Sequence, residues 1–131
     1  MNSTALKYGS IALRVVLAAV FLAAGFAKLG GVQMMVDSFA AIGIGQWFRY
    51  LTGFIEVGSA ILLFAPGKQA YGAMLLVGTM IGAVLAHLFI LGPSAVPAVV
   101  LGLLSAIVLF IYRGQLLLVG QSSQPLGETR A

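Results

Sequence analysis

The chain has 131 residues, no cysteine, seven Lys and Arg against three Asp and Glu, and a formal charge of +4. Only 8% of its residues are charged and 61% are apolar, with a mean hydropathy of +1.10; a soluble domain carries roughly 25% charged residues, so the composition excludes an ordinary water-facing surface and makes lipid the natural solvent. The absence of cysteine excludes a disulfide framework, a CxxC redox pair, thiolate zinc sites and Cys-ligated iron–sulfur clusters, and the basic residues are scattered singly, which argues against nucleic acid and suits membrane helix ends.

A helix that crosses a hydrocarbon core needs about 20 largely apolar residues, and four segments meet that need. The first runs from about Ser10 to Leu29 and ends at Gly30-Gly31. Lys7 ahead of it and Gly25-Phe26-Ala27 near its end imitate a signal peptide, but Arg14 interrupts the apolar stretch and three more segments follow, so a first transmembrane helix is the better reading. In the connection from Gly31 to Gly43, the residues Val32, Met35, Val36, Phe39 and Ile42 recur at three- and four-residue steps, with Asp37 and Ser38 off the stripe. That spacing predicts a short amphipathic helix lying at the interface. The second span runs from about Gly45 to Ala65, before Pro66-Gly67, and the third from about Gln69 to Leu91, before Gly92-Pro93. The fourth covers about 96–113, with Pro97 in its first turn, where a helix tolerates proline. The polar tail 121–131 is expected to be disordered. The predicted fold is an all-α membrane protein: one domain over 1–120, a four-transmembrane-helix bundle with the short interfacial helix between helices 1 and 2.

Lys7, Lys68, Arg113 and Arg130 fall on the side shared by the termini, with Arg14 one turn into the membrane, while Lys28 and Arg49 fall on the other. The positive-inside rule therefore places both termini in the cytoplasm. Tyr8, Trp47, Tyr50, Tyr71 and Tyr112 lie near predicted helix ends, where aromatic belts form. The many Gly and Ala residues of the first three spans suit close helix packing.

Ionisable groups inside the hydrocarbon cost roughly 2.5–3.5 kcal/mol each and tend to be buried, paired and functional. The candidates are Arg14, Lys28, Glu56 and His87. Glu56 is the deepest, about 16 Å into the second span at 1.5 Å per residue, where a carboxyl either pairs with a cation or is a neutral acid. Arg14 and Lys28 share a face of the first span with Phe21 and Gly25. On the second span Arg49, Thr52, Glu56 and Ser59 form a polar stripe from the outer surface to mid-membrane. His87 lies about one turn from the outer end of the third span, with Met80 and Ala83 on its face, within reach of Glu56 or Thr52 if those spans pack together. A Glu/His pair suits a proton relay or the polar end of a quinone site. The plainer readings are interfacial anchors for Arg14, Lys28 and His87, and a register-fixing interhelix pair for Glu56. One His without Cys makes a metal or haem site unexpected, and no phosphate loop, nucleophile elbow or catalytic triad is present. Catalytic residues are therefore not assigned.

Arg14 followed by Phe21-Leu22-Ala23-Ala24-Gly25-Phe26-Ala27-Lys28-Leu29, then Leu51-Thr52-Gly53-Phe54-Ile55-Glu56-Val57-Gly58, then Gly82-Ala83-Val84-Leu85-Ala86-His87 form an ordered set that resembles the DoxX family of small bacterial membrane proteins. The resemblance covers about residues 10–112. It implies a multi-pass inner-membrane protein of four helices, with Arg14, Lys28, Glu56 and His87 at recurring polar positions, and a link to quinone-dependent oxidoreductase or oxidative-stress complexes. The expected function is a membrane subunit or quinone-associated module of such a complex, with Glu56 as its polar centre, rather than a stand-alone enzyme. The alternatives are a small proton-coupled transporter and a purely structural membrane protein. Expected partners are the lipid bilayer and either redox-complex subunits or further copies of the chain.

Overall fold

The apolar stretches all become helix. In the computed structural model, which describes residues 3–92 and 94–116, helix α1 spans Ser3–Leu29, α2 Gln33–Ile42, α3 Gln46–Leu62, α4 Gln69–Ala86 and α5 Val96–Tyr112. A π-helical turn, His87–Leu91, continues α4. No strand occurs among the described residues. The tail expected to be disordered, 121–131, lies outside them.

Helix ends follow local chemistry more than hydropathy. At 27 residues α1 is roughly 40 Å long, and it begins seven residues before the apolar stretch because Ser3–Gly9 continue the helix with exposed side chains. The short helix expected between the first two apolar spans exists as α2. It stops at Gly43, whose left-handed backbone (φ 84°) returns its N–H to the Phe39 carbonyl, a cap that glycine adopts without steric penalty. Its stripe faces inward: Phe39 is buried and Met35, Val36 and Ile42 are partly covered, while Met34, Asp37 and Ala41 are exposed. Pro97 sits in the first turn of α5, as predicted.

The four long helices pack as a ring in the order α1, α3, α4, α5, with α5 returning to α1. Helix α2 lies across α3 and the π-turn. Leu17, Phe21, Ala60, Leu63, Leu76, Met80 and Val108 form the core. One tight crossing is between α1 and α3. A Cβ on Gly25 would come within 2.7 Å of Val57 Cγ2 and 3.0 Å of the Gly53 carbonyl, and one on Gly53 within 3.0 Å of the Gly25 carbonyl. Small residues here let two backbones touch.

Outward, every long helix shows large apolar side chains, among them Val16, Phe26, Phe54, Ile61, Leu85, Leu103 and Phe110. Helix α1 and the 23-residue stretch Gln69–Leu91 are long and apolar enough to cross a membrane. In the latter only 11% of the most apolar 18 residues are buried, so a protein core does not account for its hydrophobicity. Helices α3 and α5 have 17 residues each, roughly 26 Å, near the lower limit for a span.

Candidate functional site

Helices α1 and α3 run antiparallel, since the end of α1 meets the start of α3 and the end of α3 meets Arg14. Cα–Cβ bonds tilt toward a helix's own N-terminus, so Lys28 leans back toward the middle of α1 and Glu56 toward the start of α3, which brings the two toward each other. Lys28 Nζ lies 3.0 Å from Glu56 Oε1 and 3.1 Å from Oε2. Of the cations that could meet Glu56, Lys28 is the one the fold brings to it. The Glu56 side chain is 2% exposed and that of Lys28 12%.

The backbone of Lys28 is held as well. Arg49 NH1 donates to the Lys28 carbonyl, and Arg49 Nε donates to Gln46 Oε1 at 2.7 Å. Gln46 Nε2 in turn donates to the Val36 carbonyl on α2 at 3.0 Å. The guanidinium also stacks over Tyr50, 4.3 Å from the ring centre. A cation at the last carbonyls of a helix satisfies groups that lack an intrahelical partner.

Arg14 plays the reciprocal part at the other end of the bundle. Its NH1 donates to the Leu63 carbonyl, at the end of α3, at 2.9 Å. Its guanidinium lies 5.1 Å from the Phe64 ring centre and 5.4 Å from that of Tyr112, whose hydroxyl bonds Ser10 Oγ at 2.7 Å. Arg14 therefore shares a helix face with Lys28 but does not share its site.

The Lys28–Glu56 pair forms part of the wall of a cavity of about 840 Å³ between α2, α3 and α4. The size lies within the range of small-molecule sites, roughly 300–1,000 Å³. Met34, Met35, Phe39 and Ile42 line it from α2, Phe48, Thr52, Ile55 and Glu56 from α3, Thr79, Met80 and Ala83 from α4, and His87 and Leu91 from the π-turn. His87 makes no hydrogen bond to Glu56 or Thr52; its Nδ1 lies 3.0 Å from the Gly92 carbonyl. Lys28, Thr52, Glu56 and His87 thus share one cavity, and Arg14 lies outside it. An apolar chamber with one ion pair and a few polar points can hold a lipid-soluble molecule by its tail and orient its head. Among the described residues, no cluster of His, Asp and Glu could hold a metal ion.

The sequence reading gave no site role to α2 or to Thr79. The apolar stripe of α2, read from the sequence as facing the membrane interface, was the available signal for the one, and Thr79 is a hydroxyl midway along an otherwise apolar helix. What they face depends on how α2 folds back over α3 and the π-turn, which helical periodicity does not encode.

Comparison with known proteins bears on the whole arrangement. The model of the DoxX-like family matches residues 12–111, which include every polar residue of the cavity. The "Uncharacterized protein YdgD" of Bacillus subtilis (strain 168) is 32% identical over 94 residues, covering 69% of this chain and 82% of that protein. No solved structure matches the chain. The apolar, outward-facing helices and this match together make the chain a membrane protein that belongs to the DoxX-like family.

Proposed function

We propose that the chain crosses the bacterial inner membrane four times with both termini in the cytoplasm, and that the cavity under α2 binds an amphiphilic, lipid-soluble molecule of the quinone class. In this reading the protein is a quinone-associated membrane module of a redox complex, assembled with that complex's subunits or with further copies of itself. The supporting observation is the Lys28–Glu56 ion pair in the wall of an otherwise apolar chamber of about 840 Å³. Charged groups in the bilayer interior are costly, and a pair placed beside a cavity offers an orienting charge where a ligand head would sit.

The four-span topology draws support from the ring of four long helices and from the cations. Lys28 and Arg49 at the α2 end are consumed by contacts within the protein. Lys7 and Lys68, at the other end, are exposed and available to anionic headgroups.

Native mass spectrometry of protein released gently from its membrane tests the reading. Bound quinone or a co-purifying redox subunit is the expected result, and neither appearing would remove the proposal. A proton-coupled transporter would instead show a pH-dependent flux in reconstituted vesicles that Glu56→Gln abolishes.

A further inference from the structure

On the reading of the cavity as a ligand site, we infer that it selects a ligand whose head carries hydrogen-bond donors, hydroxyls above all, over the same molecule with carbonyls in their place. The basis is where the hydrogens go. Among the described residues, the polar side chains lining the cavity are Lys28, Ser38, Thr52, Glu56, Thr79 and His87. A hydroxyl has one hydrogen to give, and all three hydroxyls give theirs away: Ser38 Oγ to the Met34 carbonyl, Thr52 Oγ1 to the Phe48 carbonyl and Thr79 Oγ1 to the Leu75 carbonyl, each at 2.8 Å. The Glu56 carboxylate has none. The Gly92 carbonyl near His87 Nδ1 can only accept, which assigns a ring hydrogen to Nδ1 and leaves Nε2, whenever the ring is neutral, as an acceptor. Lys28 is the one donor; of the three hydrogens on its ammonium, two are turned onto the oxygens of Glu56. Five side chains thus present acceptors, and the sixth, held by a charged partner, has one hydrogen left to give.

A hydroquinone head brings two O–H groups to such a wall and strips no bond already made. A quinone head brings two carbonyls to a wall of acceptors. One carbonyl can take the remaining Lys28 hydrogen, which a hydroquinone oxygen accepts equally well; to bond the other, the quinone must draw Lys28 off Glu56 or turn a threonine hydroxyl away from its helix. A net hydrogen bond is worth roughly a 2- to 10-fold change in affinity, so the two that only the hydroquinone donates lead to a preference of about 4- to 100-fold, with tenfold a central value. For a two-electron couple, a tenfold preference for the reduced form raises the midpoint potential of the bound couple by about 30 mV.

The test uses the full chain in lipid nanodiscs, without oxygen and at mildly alkaline pH, with a decyl-hydroquinone and the decyl-quinone of the same ring; empty nanodiscs supply the partition background. The hydroquinone is expected to bind about tenfold tighter. Thr79→Val and His87→Phe are each expected to weaken it about threefold or more and to leave the quinone nearly unchanged. The Thr79 variant alters one hydroxyl and little else, so it carries the test if the His87 variant fails to fold. Equal binding, or tighter binding of the quinone, overturns the inference and leaves the cavity a ligand site. A preference that survives both substitutions overturns the assignment of the acceptors. If neither molecule binds above the empty nanodiscs, both this inference and the reading it rests on fall.

Discussion

Replacing Lys28 by Met removes the ammonium that lies 3.0 and 3.1 Å from the two oxygens of Glu56 and keeps most of the side-chain length. With side-chain exposures of 12% and 2%, solvent does little to take its place. At this separation two unit charges attract by about 5 kcal/mol at an effective dielectric constant of about 20. Removing one partner of a buried pair costs about 3–5 kcal/mol. The stranded carboxylate has one other recourse, which is to take up a proton; at neutral pH that costs a carboxyl of ordinary acidity about 4 kcal/mol. The two routes converge, and Lys28→Met is expected to lower stability by about 3–4 kcal/mol. Glu56→Gln should cost less, about 1–2 kcal/mol, because Lys28 stands near the helix end and its freed ammonium can turn to the interface. The double variant Lys28→Met, Glu56→Leu should recover most of the loss, since apolar replacement of a whole buried pair is often neutral. Equilibrium unfolding in mixed micelles measures all three and yields the coupling energy. A loss under about 1 kcal/mol for Lys28→Met, the range of exposed pairs, would refute the buried pair. A double variant as unstable as the single one would refute the idea that the stranded charge is the cause.

Arg14→Met removes the hydrogen bond to the Leu63 carbonyl and the contacts with Phe64 and Tyr112; it is expected to cost about 1–3 kcal/mol in unfolding with no effect on ligand binding, because Arg14 lies outside the cavity. Gly25→Val puts a Cβ 2.7 Å from Val57 Cγ2 and should cost about 1–3 kcal/mol, read in the same unfolding assay, with Val57→Ala restoring part of it. Gln46→Ala cuts the tie between Arg49 and the Val36 carbonyl, so amide exchange in α2 should speed up while the core of α1 and α4 is unchanged. The chain has no native cysteine, so single cysteines report topology directly: one at Lys7 or Lys68 should resist an impermeant thiol reagent in intact cells, and one at Ala41 should react. Reaction at all three would rule out the proposed orientation.

The helices were legible in the sequence because each is written locally, in a run of apolar residues followed by Gly, alone or beside Pro. Their true ends were less so. Ser3–Gly9 belong to α1 although hydropathy cannot count them, and His87–Leu91 adopt a π-turn that no spacing of apolar residues announces. Glu56 stood out for a general reason, the cost of charge in hydrocarbon. Choosing its partner was harder: Arg14 and Lys28 occupy the same face of α1, and four turns of helix separate them. The choice between them follows from the close approach at Gly25 and Gly53 and from the antiparallel tilt of side chains, both properties of two helices together. The same holds for His87. Its position near the end of the third apolar span was evident, but its bond to Gly92 depends on the backbone path after the π-turn.

The two arginines explain why the polar groups of this bundle divide into separate tasks. Arg49 and Arg14 each spend their guanidinium on the carbonyl end of the neighbouring helix, Lys28 for one and Leu63 for the other. Each thereby fixes one end of the α1–α3 pair against sliding, a task that apolar side chains in lipid perform poorly because lipid is as apolar as they are. Lys28 is then held twice, its carbonyl by Arg49 and its ammonium by Glu56, so the ion pair cannot drift along the helix axis. Through Gln46 and the Val36 carbonyl the same network reaches α2, the helix that covers the cavity. The seat of the cover and the position of the charge beside the ligand space are therefore set by one connected group of hydrogen bonds. A change that loosens α2 at Gln46 or Arg49 alters the wall of the cavity without touching any residue that lines it between Thr52 and His87.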